Sequence, residues 1–293
     1  MTSVEITTPD HALGHDAVLA RELARTALRI RHHIVDMCGG KEGGHLGGAL
    51  SSADILTVLY FAVLRVDPAE PRDPDRDVFI LSKGHGAIGL YAALAERGFL
   101  PVDELRTYGT SAGRLMGHPV TAVPGVEMPT GSLGHGLALG LGFALAARLQ
   151  ARPCRAFVLL GDGELQEGAC WEAAMGAVSA DADNLVAIVD RNGLQLTGDT
   201  EQISPLEPLA ERWRGFGWEV REVNGHDHAE LLDALGSVPW RPGRPQVLIA
   251  RTVKAYGLPF AAGRPGSHYA RLSPRMLARA HHALDHFFGD EAG

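Results

Sequence analysis

The stretch Gly161-Asp-Gly-Glu-Leu-Gln-Glu-Gly-Ala-Cys-Trp-Glu172 sets a carboxylate between two glycines, directly after the apolar run "AFVLL". About thirty residues further on, a second apolar run, "NLVAIVD", ends in Arg191-Asn192-Gly193-Leu194. Asp162 and Asn192 can both offer oxygen to a hard cation. Magnesium prefers octahedral oxygen ligands and is commonly shared between carboxylates and phosphates. Gly161 and Gly163 keep side chains away from a phosphate group, and a helix starting near Glu167 would present free N–H groups to it. Taken alone, "GDG" reads equally as a turn or cap. The second loop, with its own "NG", makes the metal reading competitive.

Histidine supplies a second set of candidates. Of fourteen, His45, His85, His118 and His268 each lie near glycine or proline in apparent loops. Loops on a rigid scaffold often carry binding groups, so each is open between a site role and a structural one. His11, His15, His32, His33 and the "HHALDHF" group read as surface residues of terminal segments. Lys254 is open between reaching an anion and lying at the surface. Asp190 is expected to shape the turn before Asn192. Cys154 and Cys170 have no neighbouring base in sequence, which argues against a nucleophilic role.

These residues need a scaffold. Residues 17 to 37 carry an apolar stripe at Leu19, Leu23, Ala27, Ile30 and Ile34, the period of a helix. After "CGGKEGGHLGGALSSADI", Ser51 or Ser52 could cap a second helix. "DVFILSKGHG" reads as a buried strand entering a glycine turn, followed by a helix from about Ala87 to Arg97. "SLGHGLALGLGFALAARL" reads as a helix in which Gly136, Gly140 and Gly142 allow close packing. Strands are expected at "AFVLL", "NLVAIVD", "WEVREV" and "PQVLIARTV", with helices at Trp171–Ser179, Leu206–Arg214 and His228–Leu235. Alternating strands and helices imply an α/β fold, a mostly parallel sheet covered on both faces. In such a sheet ligands collect beyond the C-terminal ends of the strands, which is where Asp162 and Asn192 fall.

Composition narrows the function. The 293 residues are 45% hydrophobic with a net charge of -8, enough for a large core and a poor match to nucleic acid. Three widely spaced cysteines form no zinc pattern or disulfide framework, so a reducing, cytoplasmic setting is expected. The polar N-terminus lacks a signal pattern, and no apolar stretch is long enough to span a membrane. Neither GxGxxG after a strand nor GxxxxGK[ST] occurs, which argues against NAD and P-loop chemistry.

The run "GDGELQEGACWEAAMGAVSADADNLVAIVDRNGLQLTG" resembles the thiamine-diphosphate motif of transketolase. "GGHLGGALSSADI", "LSKGHGAIGLYA" and "MGHPVTAVPGVEMPTGSLGHGLALGLG" resemble further loops of that family, so the likeness covers nearly the whole chain. It implies the thiamine-diphosphate-binding (PP-type) fold. It implies Mg²⁺ held by Asp162, Asn192 and the Leu194 carbonyl. His85, Gly131, Leu133, Gly161, Gly163, Glu164 and His268 would lie against the cofactor, and His45, His118 and His268 against the reacting sugar. Glu167 resembles an acid near the contact between protomers. The departures are Leu46 for proline after His45, "GSLGHG" for GPLGQG, and "RPGSHYA" for a PGWHG-like run, with Ser267 and Tyr269 in the tryptophan and glycine places. His135 is open between facing the cofactor and capping the next helix.

A whole transketolase is much longer. The resemblance therefore implies a single N-terminal domain over 1–293, with the second and third domains on a separate chain that brings the activating glutamate and much of the sugar-phosphate site. An α₂β₂ assembly is expected, moving a two-carbon ketol unit from a ketose, expected to be phosphorylated, to an aldose. The chain is expected to be complete in itself. Two alternatives stay open. One is an E1α-type component of another thiamine-diphosphate enzyme; the other is a non-catalytic, cofactor-binding regulatory subunit.

Overall fold

The computed structural model describes the backbone of residues 10–292 and the side chains of residues 18–289. Five strands form one sheet: β1 (Val78–Leu81), β2 (Ala156–Gly161), β3 (Leu185–Arg191), β4 (Glu219–Asn224) and β5 (Gln246–Arg251). Their order is β1-β2-β3-β5-β4 and every pairing is parallel. β3 is buried along its whole length, whereas the edge strand β4 is only half-buried. The continuous apolar runs of β2 and β3 follow from this, because both sheet faces are covered.

The helices are α1 (Asp10–Cys38), α2 (Leu46–Ser51), α3 (Ala53–Val58), α4 (Ala87–Arg97), α5 (Gly136–Leu149), α6 (Gly168–Ser179), α7 (Thr200–Ile203), α8 (Leu209–Gly215), α9 (His228–Gly236) and α10 (Pro274–Ala292). Alternate strand residues feed two cores. Phe79, Phe157, Ile188 and Leu248 pack under α1, α3, α4, α9 and α10. Ile80, Val158, Val189 and Ile249 pack under α5, α6 and α8. A side-chain period of two on a doubly covered sheet gives this division.

The element expectations hold, with local differences. α1 begins upstream of the apolar stripe that marked its start. α8 begins at Leu209 rather than Leu206, after Pro208, because the residue before a proline is disfavoured in helical geometry. Neither the Ser51 nor the Ser52 side chain caps a helix: the Ser51 hydroxyl donates to Asp190 and that of Ser52 to the Gly48 carbonyl, and the helix is interrupted between α2 and α3 at Ser52. Close packing of α5 rests on Gly136 and Gly140. A Cβ on Gly140 would fall 2.3 Å from Val158 Cγ2, and one on Gly136 would fall 2.3 Å from Ser82 Oγ. Gly142 faces open space and takes no part in that packing.

Candidate active site

β2 and β3 are paired in register, with Gly161 beside Asp190, so the loops that follow them meet at the C-terminal edge of the sheet. Asp162 joins the two. Its Oδ1 accepts from the Gly163 N–H at 2.8 Å, and its Oδ2 accepts from the Gly193 N–H at 2.6 Å and from Arg191 Nη1 at 3.1 Å. Burial, followed by the nearby Asp190 carboxylate, raises the Asp162 carboxyl above its usual range. Asn192 Oδ1 accepts from the Leu194 N–H at 3.1 Å, and the Leu194 carbonyl accepts from Lys254 Nζ at 3.1 Å.

Asp190 does more than shape a turn. Fully buried, it accepts from the Lys83 ammonium and from the Ser51, Thr252 and Asn192 side chains. Burial alone would raise its carboxyl; Lys83 and these hydrogen bonds outweigh burial and hold it below the usual range. One carboxylate thereby ties together the α2 end, the β1 end, the Asn192 loop and the β5 end.

These loops wall a cleft of about 390 Å³. Its lining includes Gly131, Leu133, Gly161, Asp162, Gly163, Glu164, His85, Asn192, Leu194 and His268, with Lys83 and Lys254 among the others. The Glu164 side chain is turned into the protein, where it accepts from Ser82 Oγ and from the Gly134 and Gly161 N–H groups. Glu164 therefore pins the two glycine loops together, and what it offers a ligand is main chain. His135 sits at the start of α5 without capping it; its Nδ1 lies 3.0 Å from the Leu133 carbonyl.

The four loop histidines come together around His45. Its ring centroid is 5.3 Å from those of His85 and His268 and 6.1 Å from that of His118. His85 and His268 stack at 5.3 Å. Burial lowers His45 to about 4, helped by His118 and Lys254. Burial likewise lowers His268 to about 4, with Lys254, His45 and Lys83 adding to it. His85 is pushed well below the usual histidine range by burial, then by Lys83 and its neighbours. These three rings are neutral near pH 7. Lys254 Nζ lies 3.1 Å from His268 Nδ1, so that nitrogen accepts and Nε2 carries the proton. Burial and Lys83 lower Lys254 to about 8, and no carboxylate pairs with it among the described residues.

Buried polar atoms without partners lie in this region as well: His45 Nδ1, Thr130 Oγ1 and Gln195 Oε1. Such atoms cost free energy unless a ligand or water meets them. The donor set fits magnesium: a carboxylate, an amide oxygen and a main-chain carbonyl, all hard oxygen, from residues that line the same cleft. No group of three or more His, Cys, Asp or Glu that could hold a metal exists among the described residues. A cation here would need oxygens from its anionic ligand, as magnesium commonly has.

Sequence reasoning overlooked Lys83 and Arg191 and left Lys254 open. Lys83 directly precedes the His85 loop. Arg191 stands between Asp190 and Asn192, and its guanidinium also binds Glu201 and Glu207. A cation inside a candidate metal loop, with acids ten and sixteen residues on, was the available signal.

Fold and site together define an α/β protein that binds an anionic cofactor at the C-terminal edge of a parallel sheet. Residues 23–286 match the family described as "Transketolase, thiamine diphosphate binding domain". The chain belongs to the transketolase family, as its thiamine-diphosphate-binding part. It is 47% identical over 250 residues to a protein named as one subunit of apulose-4-phosphate transketolase in Actinobacillus succinogenes, covering 85% of this chain and 90% of that one. It is 39% identical to the 6-deoxy-6-sulfo-D-fructose transketolase subunit SqwG of a Clostridium species, covering 88% and 94%. Transketolase from Campylobacter jejuni superposes with a TM-score of 0.81 at 31% identity over 90% of this chain. The chain spans only 42% of that structure's length, whereas it matches the subunit-type relatives nearly end to end.

Proposed function

We propose that this chain is the cofactor-binding subunit of a two-part transketolase-type transferase, moving a two-carbon ketol unit from a ketose phosphate to an aldose. The observation that carries the reading is one cleft lined by an all-oxygen metal set, an ammonium with no carboxylate partner and two neutral histidines, His85 and His268, with His45 packed against both. Thiamine diphosphate, when bound, would supply the electron sink for carbon–carbon cleavage. Asp162, Asn192 and the Leu194 carbonyl would hold Mg²⁺ against the diphosphate. Lys254 sets a positive charge beside it, while Lys83 is neutralised by Asp190. His45, His85 and His268, being neutral, can donate from one ring nitrogen and accept at the other, which suits proton movement at sugar hydroxyls. His118 stands at the outer edge of the same cluster.

A second polypeptide is part of the reading. Both subunit-type relatives are named as single subunits of a transketolase, and the remaining transketolase domains, with the activating glutamate, would come from that partner in an α₂β₂ complex. No described helix is long and apolar enough to cross a membrane, and we place the complex in the cytoplasm.

The test is co-expression with the partner chain, then a ketose-to-aldose transfer assay with thiamine diphosphate and Mg²⁺. Asp162→Asn should weaken Mg²⁺-dependent cofactor binding, read by calorimetry, by roughly tenfold to a hundredfold, the scale of losses around metal sites. Unchanged magnesium-dependent affinity would remove the metal assignment. A complex that binds cofactor without transferring a ketol unit would make the chain a regulatory subunit.

A further inference from the structure

A second cleft of about 390 Å³ adjoins the cofactor cleft, and His45 forms part of its lining. Its other walls include Glu42, Tyr108, Thr110, Met116 and Tyr269. The His45 ring, 5.3 Å between centroids from His85 and from His268, stands between the two clefts, which share no lining residue. No lysine or arginine lines it. Hydroxyl-bearing side chains, one carboxylate and flat apolar surfaces suit an uncharged, hydroxylated stretch of a sugar better than an anionic end.

Tyr269 is the residue that limits this space. Its ring stands edge-on to His45, 4.9 Å between centroids at 89°. It remains 48% exposed, so it is a wall rather than core. Its position is fixed from both sides. The Tyr269 hydroxyl donates to the Glu42 carbonyl at 2.5 Å, and Gly44 and Ala270 exchange N–H···O bonds at 2.9 Å in both directions. Gly43 has φ +74°, and a Cβ there would fall 2.6 Å from the Ala270 carbonyl, so a side chain would prise the two loops apart. Ser267 is buried and small where its loop packs against Gly47. The loop's aromatic bulk therefore follows His268, at the cleft wall, instead of preceding it.

We propose that Tyr269 is a specificity-determining residue. Its ring limits how far a sugar chain extends past His45 and selects a short, locally uncharged substrate over a longer one. The inference rests on the ketol-transfer reading above. A rigid aromatic wall discriminates by size, and one methylene too many in a fitted pocket costs about tenfold or more. The phenol hydroxyl is engaged with the Glu42 carbonyl, so selection comes from the ring.

The test uses the complex of this chain with its partner. Tyr269→Gly, Tyr269→Phe and Tyr269→Trp are compared on a pentulose phosphate and a heptulose phosphate. Tyr269→Gly should raise the heptulose-to-pentulose ratio of kcat/KM by about tenfold or more, chiefly through KM. Tyr269→Phe should keep the wild-type ratio, and Tyr269→Trp should lower it. Binding of the unreactive pentitol and heptitol phosphates, by calorimetry, should show the same ranking. A ratio that stays within about twofold in both Tyr269→Gly and Tyr269→Trp overturns the inference. Absence of ketol transfer by the wild-type complex overturns the underlying reading instead, while the polyol pair still scores Tyr269 itself.

Discussion

The molecule treats buried histidines in two opposite ways. Away from the cleft they are matched with carboxylates. His226 Nε2 accepts from the Val253 N–H at 2.8 Å, so its Nδ1–H donates to Asp54, also at 2.8 Å. Asp54 in addition takes a two-pronged bond from Arg31 and lies 3.1 Å from His228. His33 meets Glu96, and His32 and His281 are flanked by Asp285 and Asp36. In the cleft, His45, His85 and His268 face one another and Lys254. The first group is matched in charge within the fold, although Arg31 Nε and His228 Nε2 remain buried without a hydrogen-bond partner. The second keeps a positive, partly unsatisfied surface whose complement is an anion. Histidine count and loop position do not separate the groups; the partner does.

Breaking the charge-matched group should cost most. Asp54 is fully buried; burial would raise its carboxyl, but Arg31, His226 and His228 outweigh burial and hold it well below the usual range. Asp54→Asn leaves the Arg31 guanidinium buried beneath Tyr256 and Phe288 with its charge uncompensated. The expected loss in unfolding free energy is about 3–5 kcal/mol, measured by urea denaturation. In wild type the contribution of Asp54 is complete above the unfolded aspartate range and fades as pH falls through its depressed folded value. The variant should lack that acid-side loss. A cost below about 1 kcal/mol would mean that the compensation is not what holds this group.

The same distinction explains what could be read from the sequence. Strands with unbroken apolar runs, and a helix with a clear stripe such as α1, were legible because burial leaves a periodic trace. Asp162 and Asn192 were legible because each ends such a run. His45, His85, His118 and His268 stood out through their glycine and proline neighbours, though spacing alone gave no hint that they converge on His45. Pairs far apart in the chain left no local mark. Lys83 with Asp190, Arg31 with Asp54, and His32 with His281 are 107, 23 and 249 residues apart. His282 and His286 are exposed as expected, His32, His33 and His281 are partly buried against partners that sequence reading could not place, and the side chains of His11 and His15 lie outside the described residues.

A smaller effect should come from the cleft, where the pH slope has the same sign but arises from burial without a compensating carboxylate. His45 is lowered from 6.5 to about 4, so between those values the unfolded chain holds more protons than the folded one. Stability therefore rises with pH across that window and is complete above it. His45→Gln should flatten this acid-side slope. Discounted for the partial exposure of His45, the change is on the order of 1 kcal/mol near pH 5. Paired urea titrations across the window check it. A slope as steep as wild type would show that His45 is compensated after all, erasing the difference between the two groups.

The smallest expected effect tests whether a histidine pair can be finished by protons alone. His32 Nδ1 and His281 Nδ1 are 2.7 Å apart, so one donates and the other accepts. Each Nε2 faces a carboxylate, Asp285 at 3.0 Å and Asp36 at 2.8 Å, and so carries hydrogen. Satisfying all three bonds would take three protons on four nitrogens, but burial, the largest influence, lowers His32 below the usual histidine range, so the bonds compete for hydrogen. Because the outer carboxylates are largely exposed, the coupling across the pair should be only about 0.5–1.5 kcal/mol. A double-mutant cycle of His32→Ala and His281→Ala at neutral pH reads it. A coupling within error of zero would mean that α1 and α10 are held by their apolar faces alone, with the histidines as bystanders.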